Sequence, residues 1–189
     1  MSNDDDTKAA QLTDGWRTIV SALGYDDRAD PHLADTPERV GRFMAAWHTM
    51  GKPPPKLTTF PNEPRVDELV ACGGLRFYSL CAHHGLPFFG TCAIGYIPGD
   101  RVLGLSKFAR VLDHFAHRFQ VQERLTKHIA DYLFDSLQPL GLGIVLRAEH
   151  LCMSMRGVER PHHTTVTSDM RGAFRDSPSA RAELLALVR

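Results

Sequence analysis

Between Ala9 and Leu23 the apolar residues Leu12, Trp16, Ile19, Val20 and Leu23 recur every three or four positions. That is the period of one helical face, and Gly24 follows as a C-terminal cap. Residues 1–8 are acidic, show no such period and read as a disordered tail. A second helix opens at TPERVGRFMAAW, where Asp35 or Thr36 caps and Pro37 suits the first turn. Val40, Phe43, Met44 and Trp47 are its predicted buried stripe. The segment GKPPPK then breaks the helix as a stiff linker.

Beyond the linker the pattern changes to short β-like runs. LRFYSLC is followed by FFGTCAIGYI and RVLGL, the last two separated by the turn PGD. Ser106 to Phe119 returns to helical spacing through Phe108, Val111, Leu112 and Phe115. Val121 to Leu137 does the same through Leu125, Ile129, Leu133 and Leu137, and Pro139 and Gly141 end it. GIVLRAEHLCMSM and TTVTSDM read as strands, and Ser177 with Pro178 opens a terminal helix. Strands in hairpin-like order around a central helical pair predict an α+β fold with an antiparallel sheet. The organisation is a tail (1–8), an N-terminal helical extension with its Pro-rich linker (9–56), and an α+β domain (57–189).

Composition narrows the function classes. Apolar residues at 43% and charged residues at 23% describe a folded domain rather than a disordered chain. Zero formal net charge leaves no global field to recruit nucleic acid or an anionic membrane, so any anion site is a local cluster. The acidic N-terminus lacks a secretory pattern and no apolar run reaches a membrane span, so a cytoplasmic protein is expected. In that reducing setting Cys72, Cys81, Cys92 and Cys152 are thiols or metal ligands rather than disulfides.

Two segments carry the chemistry. In LCAHHGLPF, Cys81 and His84 have the C-x-x-H spacing that lets one turn offer two ligands to one ion, and Cys152 in EHLCM adds a third. A Cys₂His set leaves one position open, as catalytic zinc does. On a strand His150 shares a face with Cys152, which puts an imidazole beside the metal without ligating it. Adjacent residues diverge, so His83 reads as a second proton carrier rather than a second ligand. Buried cysteines are common as small apolar residues and C-x-x-H recurs by chance. The His-x-Cys segment is what strengthens the metal reading; Cys72 and Cys92, without histidines nearby, read as packing residues.

Ser106, Lys107 and Arg110 stand at a helix start, where free amides and the helix dipole favour an anion such as a polyphosphate. Arg39 and Arg42, three apart on one helix, and Arg156 add charge, although each alone is more often a solvated residue. Glu123 can accept two hydrogen bonds from N1 and the exocyclic amine of guanine, a pairing adenine lacks.

Together these pieces resemble the zinc-dependent GTP cyclohydrolase I family. The matching text is TPERV, C-x-H-H followed by PF, GLSKFAR, QVQERLT, the H-x-C segment, MRGV, TVTS and GAFR, over roughly residues 35–189. The resemblance implies the tunnelling fold and hydrolysis of GTP to 7,8-dihydroneopterin triphosphate and formate, an entry to tetrahydrofolate and other pterins. It implies Zn2+ on Cys81, His84 and Cys152, with His83 and His150 as the acid/base pair and Ser106 beside them. Lys107, Arg110, Arg156, Arg39 and Arg42 are then triphosphate and ribose contacts, and Glu123 with Gln122 the guanine anchor. A homo-oligomer, commonly a decamer with sites between subunits, is implied as well.

The chain departs from the family at Ala82, where a glutamate is usual, at Gly85, and at His162 and His163 after MRGV. Loss of the glutamate removes a potential partner for the ligands. Two other readings compete. A different tunnelling-fold enzyme would need three histidines on zinc, or a nucleophilic cysteine without metal, and the Cys₂His set with Glu123 speaks against both. A zinc-binding homologue that has lost catalysis and binds a purine or pterin is favoured only by Ala82.

Overall fold

In the computed structural model, which describes residues 3–188, the first helix starts earlier than the apolar period suggests: α1 spans Asn3–Ala22. The expected tail is therefore helical from Asn3 onward; acidic residues such as Asp5 and Asp6 near a helix N-terminus are stabilised by its dipole. Gly24 ends the helix in a left-handed conformation (φ 86°), with the Tyr25 N–H donating back to the Val20 carbonyl at 3.2 Å. Helix α2 (Thr36–Trp47) carries Pro37 in its first turn as expected, but Asp35 makes no side-chain cap.

The buried face of α2 is not the predicted stripe. Pro37, Gly41 and Ala45 are buried, while Phe43 is 57% exposed and Val40, Met44 and Trp47 are only partly covered. The reason is close packing on α1: a side chain at Gly41 would collide with the backbone of Ala9 and Thr13. Small residues let the two backbones approach, which turns the larger apolar residues away. Arg17 of α1 adds ion pairs to Asp27 at 3.5 Å and to Glu38. These helices belong to one compact unit, which runs through Met50; the second begins at Gly51.

The second unit is built on β1 (Thr59–Pro61), β2 (Val70–Cys81), β3 (Pro87–Ile97), β4 (Arg101–Leu103) and α3 (Ser106–Ala116). It continues through β5 (Phe119–Gln120), α4 (Gln122–Leu137), β6 (Gly141–His150) and α5 (Leu151–Ser154). It closes with β7 (Thr165–Gly172), α6 (Ala173–Asp176) and α7 (Pro178–Leu187). The main sheet has the order β5-β2-β3-β6-β7, antiparallel except for the short parallel β5-β2 contact, and β1 pairs with β4 separately. This is the α+β arrangement expected, with α3 and α4 as the central helical pair.

Alternation along the strands divides the core in two. Phe88, Ile94, Tyr96 and Ile144 face α3 and α4, where Phe108, Leu125, Ile129 and Leu133 are fully buried. Ala93, Val145 and Met170 face the other way, against Phe174 and Leu184 of the C-terminal helices. Leu184 seats over Gly95 and Gly143, which are paired across β3 and β6. The Ser177 hydroxyl caps α7 by accepting from the Ala180 N–H at 3.3 Å. In β2 the register slips between Cys72 and Leu75, a bulge containing Gly73 and Gly74, the latter left-handed at φ 70°.

One strand stops short of its predicted end. The run read as a strand through Met155 leaves the sheet at His150 and turns into α5, so Cys152 lies on a helical turn. Alternation on a strand therefore does not relate His150 to Cys152.

Two measurements test this architecture. Gly90 sits opposite Ala148, and a methyl group there would meet the Arg147 carbonyl and the Ala148 Cα, backbone atoms with no room to yield. Gly90→Ala is expected to lower unfolding free energy by about 1–3 kcal/mol in urea titration, whereas Gly73→Ala, with open space around it, changes it little. His128 is held below the ordinary imidazole range, first by burial and then by Arg124, Arg118 and Lys127, against an opposing pull from Asp131. The unfolded chain then takes up the proton more readily than the folded one, so this contribution is present above about pH 6.5 and is lost as pH falls below it. His128→Gln is expected to reduce the drop in urea midpoint between pH 7.5 and pH 5.5.

Candidate active site

The site begins where β2 ends. Cys81 is buried, and its carbonyl accepts from the backbone N–H groups of His84 (3.3 Å) and Gly85 (2.8 Å), curling the chain into a tight turn. Gly85 takes the left-handed conformation (φ 68°) that lets the turn close, and the Cys81 N–H donates to the Leu86 carbonyl at 2.7 Å before β3 begins. The Ala82 N–H is bonded to the Gln120 carbonyl at 2.9 Å. Ala82 itself is exposed, so its missing carboxylate leaves open surface.

The turn brings both imidazoles over the thiol. The Cys81 Sγ lies 3.6 Å from His84 Nδ1 and 3.9 Å from His83 Nδ1, and the three donor atoms are all within 4.8 Å of one another. Cys152, from α5, places its Sγ 3.9 Å from that of Cys81. Ligands on a tetrahedral zinc-like ion stand about 3.5–3.8 Å apart, given metal–sulfur and metal–nitrogen bonds of about 2.3 and 2.0 Å. The Cys81–His84 and Cys81–Cys152 separations suit that spacing, so the residues present fit a metal. The expected divergence of His83 and His84 is not found: the turn folds both inward, their rings 6.1 Å apart and nearly perpendicular.

A cleft of about 310 Å³ opens over these atoms, walled by Cys81, His83, His84, Glu123, His150 and Cys152. Three segments distant in sequence thus converge: the β2–β3 turn, the start of α4 and the end of β6. Gln122 also lines the cleft and is almost wholly buried. Its amide nitrogen faces the Leu146 carbonyl (3.3 Å), the Thr165 carbonyl (3.1 Å) and Thr167 Oγ1 (3.1 Å). Those contacts fix the amide and leave its Oε1 without a partner among the described residues. Glu123 is exposed in the first turn of α4, where the helix dipole favours its charge.

Burial sets the protonation states. His150 is pushed below the ordinary imidazole range first by burial and next by His163, with Glu123 pulling the other way. At neutral pH it is an uncharged imidazole, ready to accept a proton. The Cys152 thiol is pushed up by burial and then by its hydrogen bond to Cys81, with Arg156 opposing. A bound cation reverses that preference by favouring the thiolate.

The remaining predicted residues are not among those that wall the cleft. Ser106, Lys107 and Arg110 occupy the first turns of α3, whose other end bonds the Ser79 hydroxyl through the Ala116 carbonyl (2.6 Å), two residues from Cys81. A helix of this length separates its ends by about 15 Å, so the structure does not bring these three to the cleft of the same chain. Arg156 is exposed just beyond α5. Arg39 and Arg42 are on α2 of the first unit, where Arg39 pairs with Asp35 at 3.4 Å. Sequence reasoning did not find Phe88 as a partner of His150. Their rings stack 4.7 Å apart within 2° of parallel.

Fold and site together define an α+β protein with a cleft lined by cysteine and histidine donors whose spacing fits a metal ion. The model of the GTP cyclohydrolase I family matches residues 12–189, and the chain belongs to that family. GTP cyclohydrolase 1 of Aquifex aeolicus (strain VF5) is 47% identical over 173 residues, covering 92% of each chain. The enzyme of that name from Thermobifida fusca (strain YX) is 45% identical, covering 91% of this chain and 84% of its own. That of Geobacillus kaustophilus (strain HTA426) is 42% identical, covering 95% and 96%. The architecture is accordingly the tunnelling fold.

Proposed function

We propose that the protein hydrolyses GTP to 7,8-dihydroneopterin triphosphate and formate, the entry step of tetrahydrofolate and pterin synthesis. The observation that carries this reading is the convergence in one cleft of a Cys/His donor cluster, a half-buried imidazole with a lowered pKa and the adjacent Gln122 and Glu123. Membership of the family supports it. Cys81, His84 and Cys152 would hold zinc, which when bound supplies a Lewis acid that makes water acidic near neutral pH.

The chain's own residues do the rest. Glu123 accepts from N1–H and the exocyclic amine of guanine, and the neighbouring Gln122, fixed through its amide nitrogen, lines the same wall. Adenine presents an acceptor where guanine has N1–H, so the same carboxylate rejects it. Opening the imidazole ring of guanine needs a proton at N7, and opening the ribose needs one at its ring oxygen. His150 and His83, both walling the cleft, accept the proton that the attacking water gives up and return it at N7 or at the ribose oxygen.

The triphosphate is held by Ser106, Lys107, Arg110, Arg156, Arg39 and Arg42, with the first three reaching it from a neighbouring subunit. The geometry favouring this is the length of α3, which keeps its first turn away from the cleft of its own chain. The open edge of β7 suits a homo-oligomer, a decamer by family resemblance. Within each subunit residues 57–189 form the catalytic domain and 9–56 the helical extension. No helix among the described residues is long and apolar enough to cross a membrane, and a cytoplasmic enzyme that binds neither membrane nor nucleic acid fits this chemistry. A binding protein that has lost catalysis is not favoured, because both proton-carrying histidines remain in the cleft.

Purified zinc-loaded protein given GTP or ATP is expected to release formate and a fluorescent oxidised pterin from GTP alone. Formate without pterin would indicate ring opening without the later rearrangement, and neither product from metal-bound protein would sink the reading. His150→Ala is expected to keep its zinc, measured by elemental analysis, while losing at least about 100-fold in turnover. Cys152→Ala is expected to lose both. Zinc loss from the histidine variant would contradict the division of roles.

A further inference from the structure

The segment between α5 and β7, which carries His162 and His163, folds back onto the end of β6. The Arg160 N–H donates to the Met153 carbonyl at 2.9 Å, next to Cys152, and tethers the loop to α5. The Arg160 carbonyl in turn faces His163 Nδ1 at 2.9 Å. A carbonyl can only accept, so Nδ1 carries the proton and the ring is fixed in orientation. Glu149 receives hydrogen bonds from the Ser154 hydroxyl and from the His162 backbone N–H, which clasps the loop to the strand from the other side. Glu159 (φ 48°) and His162 (φ 61°) are held left-handed within this clasp.

The clasp places the His163 ring 6.1 Å from that of His150, 30° from parallel. Phe88, fully buried, already covers one face of His150 at 4.7 Å. His150 Nδ1 is buried and without a partner among the described residues, so no hydrogen bond from that atom orients the ring. Stacking has to do so instead. We propose that His163 is a positioning residue for the reaction, which with Phe88 forms an aromatic slot that fixes the plane of His150. His163 acts through its flat ring against His150 and does not touch the substrate. Proton transfer is steep in geometry, and a misplacement of about 1 Å can cost on the order of 100-fold in rate. An imidazole free to turn on one side is therefore a poorer proton carrier even when the pocket is otherwise intact.

The inference rests on reading the cleft as the active site, and the test separates the two. Metal-loaded wild type, His163→Ala, His163→Leu and His163→Phe are compared for formate release from GTP. The expected result is a loss of about tenfold in kcat for the Ala and Leu variants with KM nearly unchanged, and recovery to within about threefold in the Phe variant. Undiminished kcat in the Ala and Leu variants overturns the proposal. A Phe variant as impaired as Leu also overturns it, since the nitrogens rather than the ring would then matter. Ring-labelled histidine NMR gives a readout that needs no turnover, with the His150 signal assigned from its loss in His150→Asn. That signal is expected to shift in the Ala and Leu variants and to stay near its wild-type position in Phe, and an unmoved signal in all three refutes the slot. Absence of formate from wild type would count against the proposed activity, while the NMR comparison would still decide the slot.

Discussion

Ten residue pairs, from Phe88 opposite His150 to Ile97 opposite Gly141, join β3 to β6, and the cleft depends on that register. It sets Phe88 under the His150 ring and brings the two chain ends that carry thiols to one corner. Cys81 arrives from the strand before β3, and Cys152 from the turn after β6. Because side chains alternate, a slip of one residue would turn His150 to the other face and put Glu149 against Phe88. The register is protected by close approach at Gly90 and by the glycine pair Gly95 and Gly143, which leave no alternative alignment with room for Leu184. The packing of the sheet and the assembly of the site are thus one requirement.

Burial also sets the chemistry of this corner. Burial lowers the proton affinity of His150 and raises that of Cys152, and it leaves Gln122 Oε1 without a partner among the described residues. Each of these groups is less comfortable in the bare protein than it would be with a partner. The chain's formal charge sums to zero, so any attraction for an anion is local rather than global.

Much of this was legible in the sequence, for identifiable reasons. The central helices were read from Phe108, Leu125, Ile129 and Leu133 because a single apolar face against a sheet produces a clean period. Cys81, His84, Cys152 and His150 stand out because rare residue types at short spacings are informative; Gln122 and Glu123 are legible through the family resemblance, and all six line one cleft. The stripe on α2 was misjudged because a helix that packs through Gly41 buries its smallest face, which hydrophobicity alone ranks last. The strand through Cys152 was too long because apolar residues continue past the point where the chain leaves the sheet. The stacking of His163 and Phe88 on His150 was invisible for a deeper reason: it depends on cross-strand register and loop closure, which no local pattern encodes.

The glycine bulge in β2 bears on how the protein behaves among many copies of itself. From Val70 to Ser79 the outer side of this strand has no partner among the described residues, since β5 reaches only Leu80 and Cys81. A straight exposed strand is a template on which any stray chain can add, and it is the usual origin of runaway aggregation. The register slip at Gly73 and Gly74 bends that edge and increases its local twist, so an arbitrary flat strand cannot lie along it. Only a surface with matching curvature can pair there, which makes the bend a filter on association as well as a feature of the sheet.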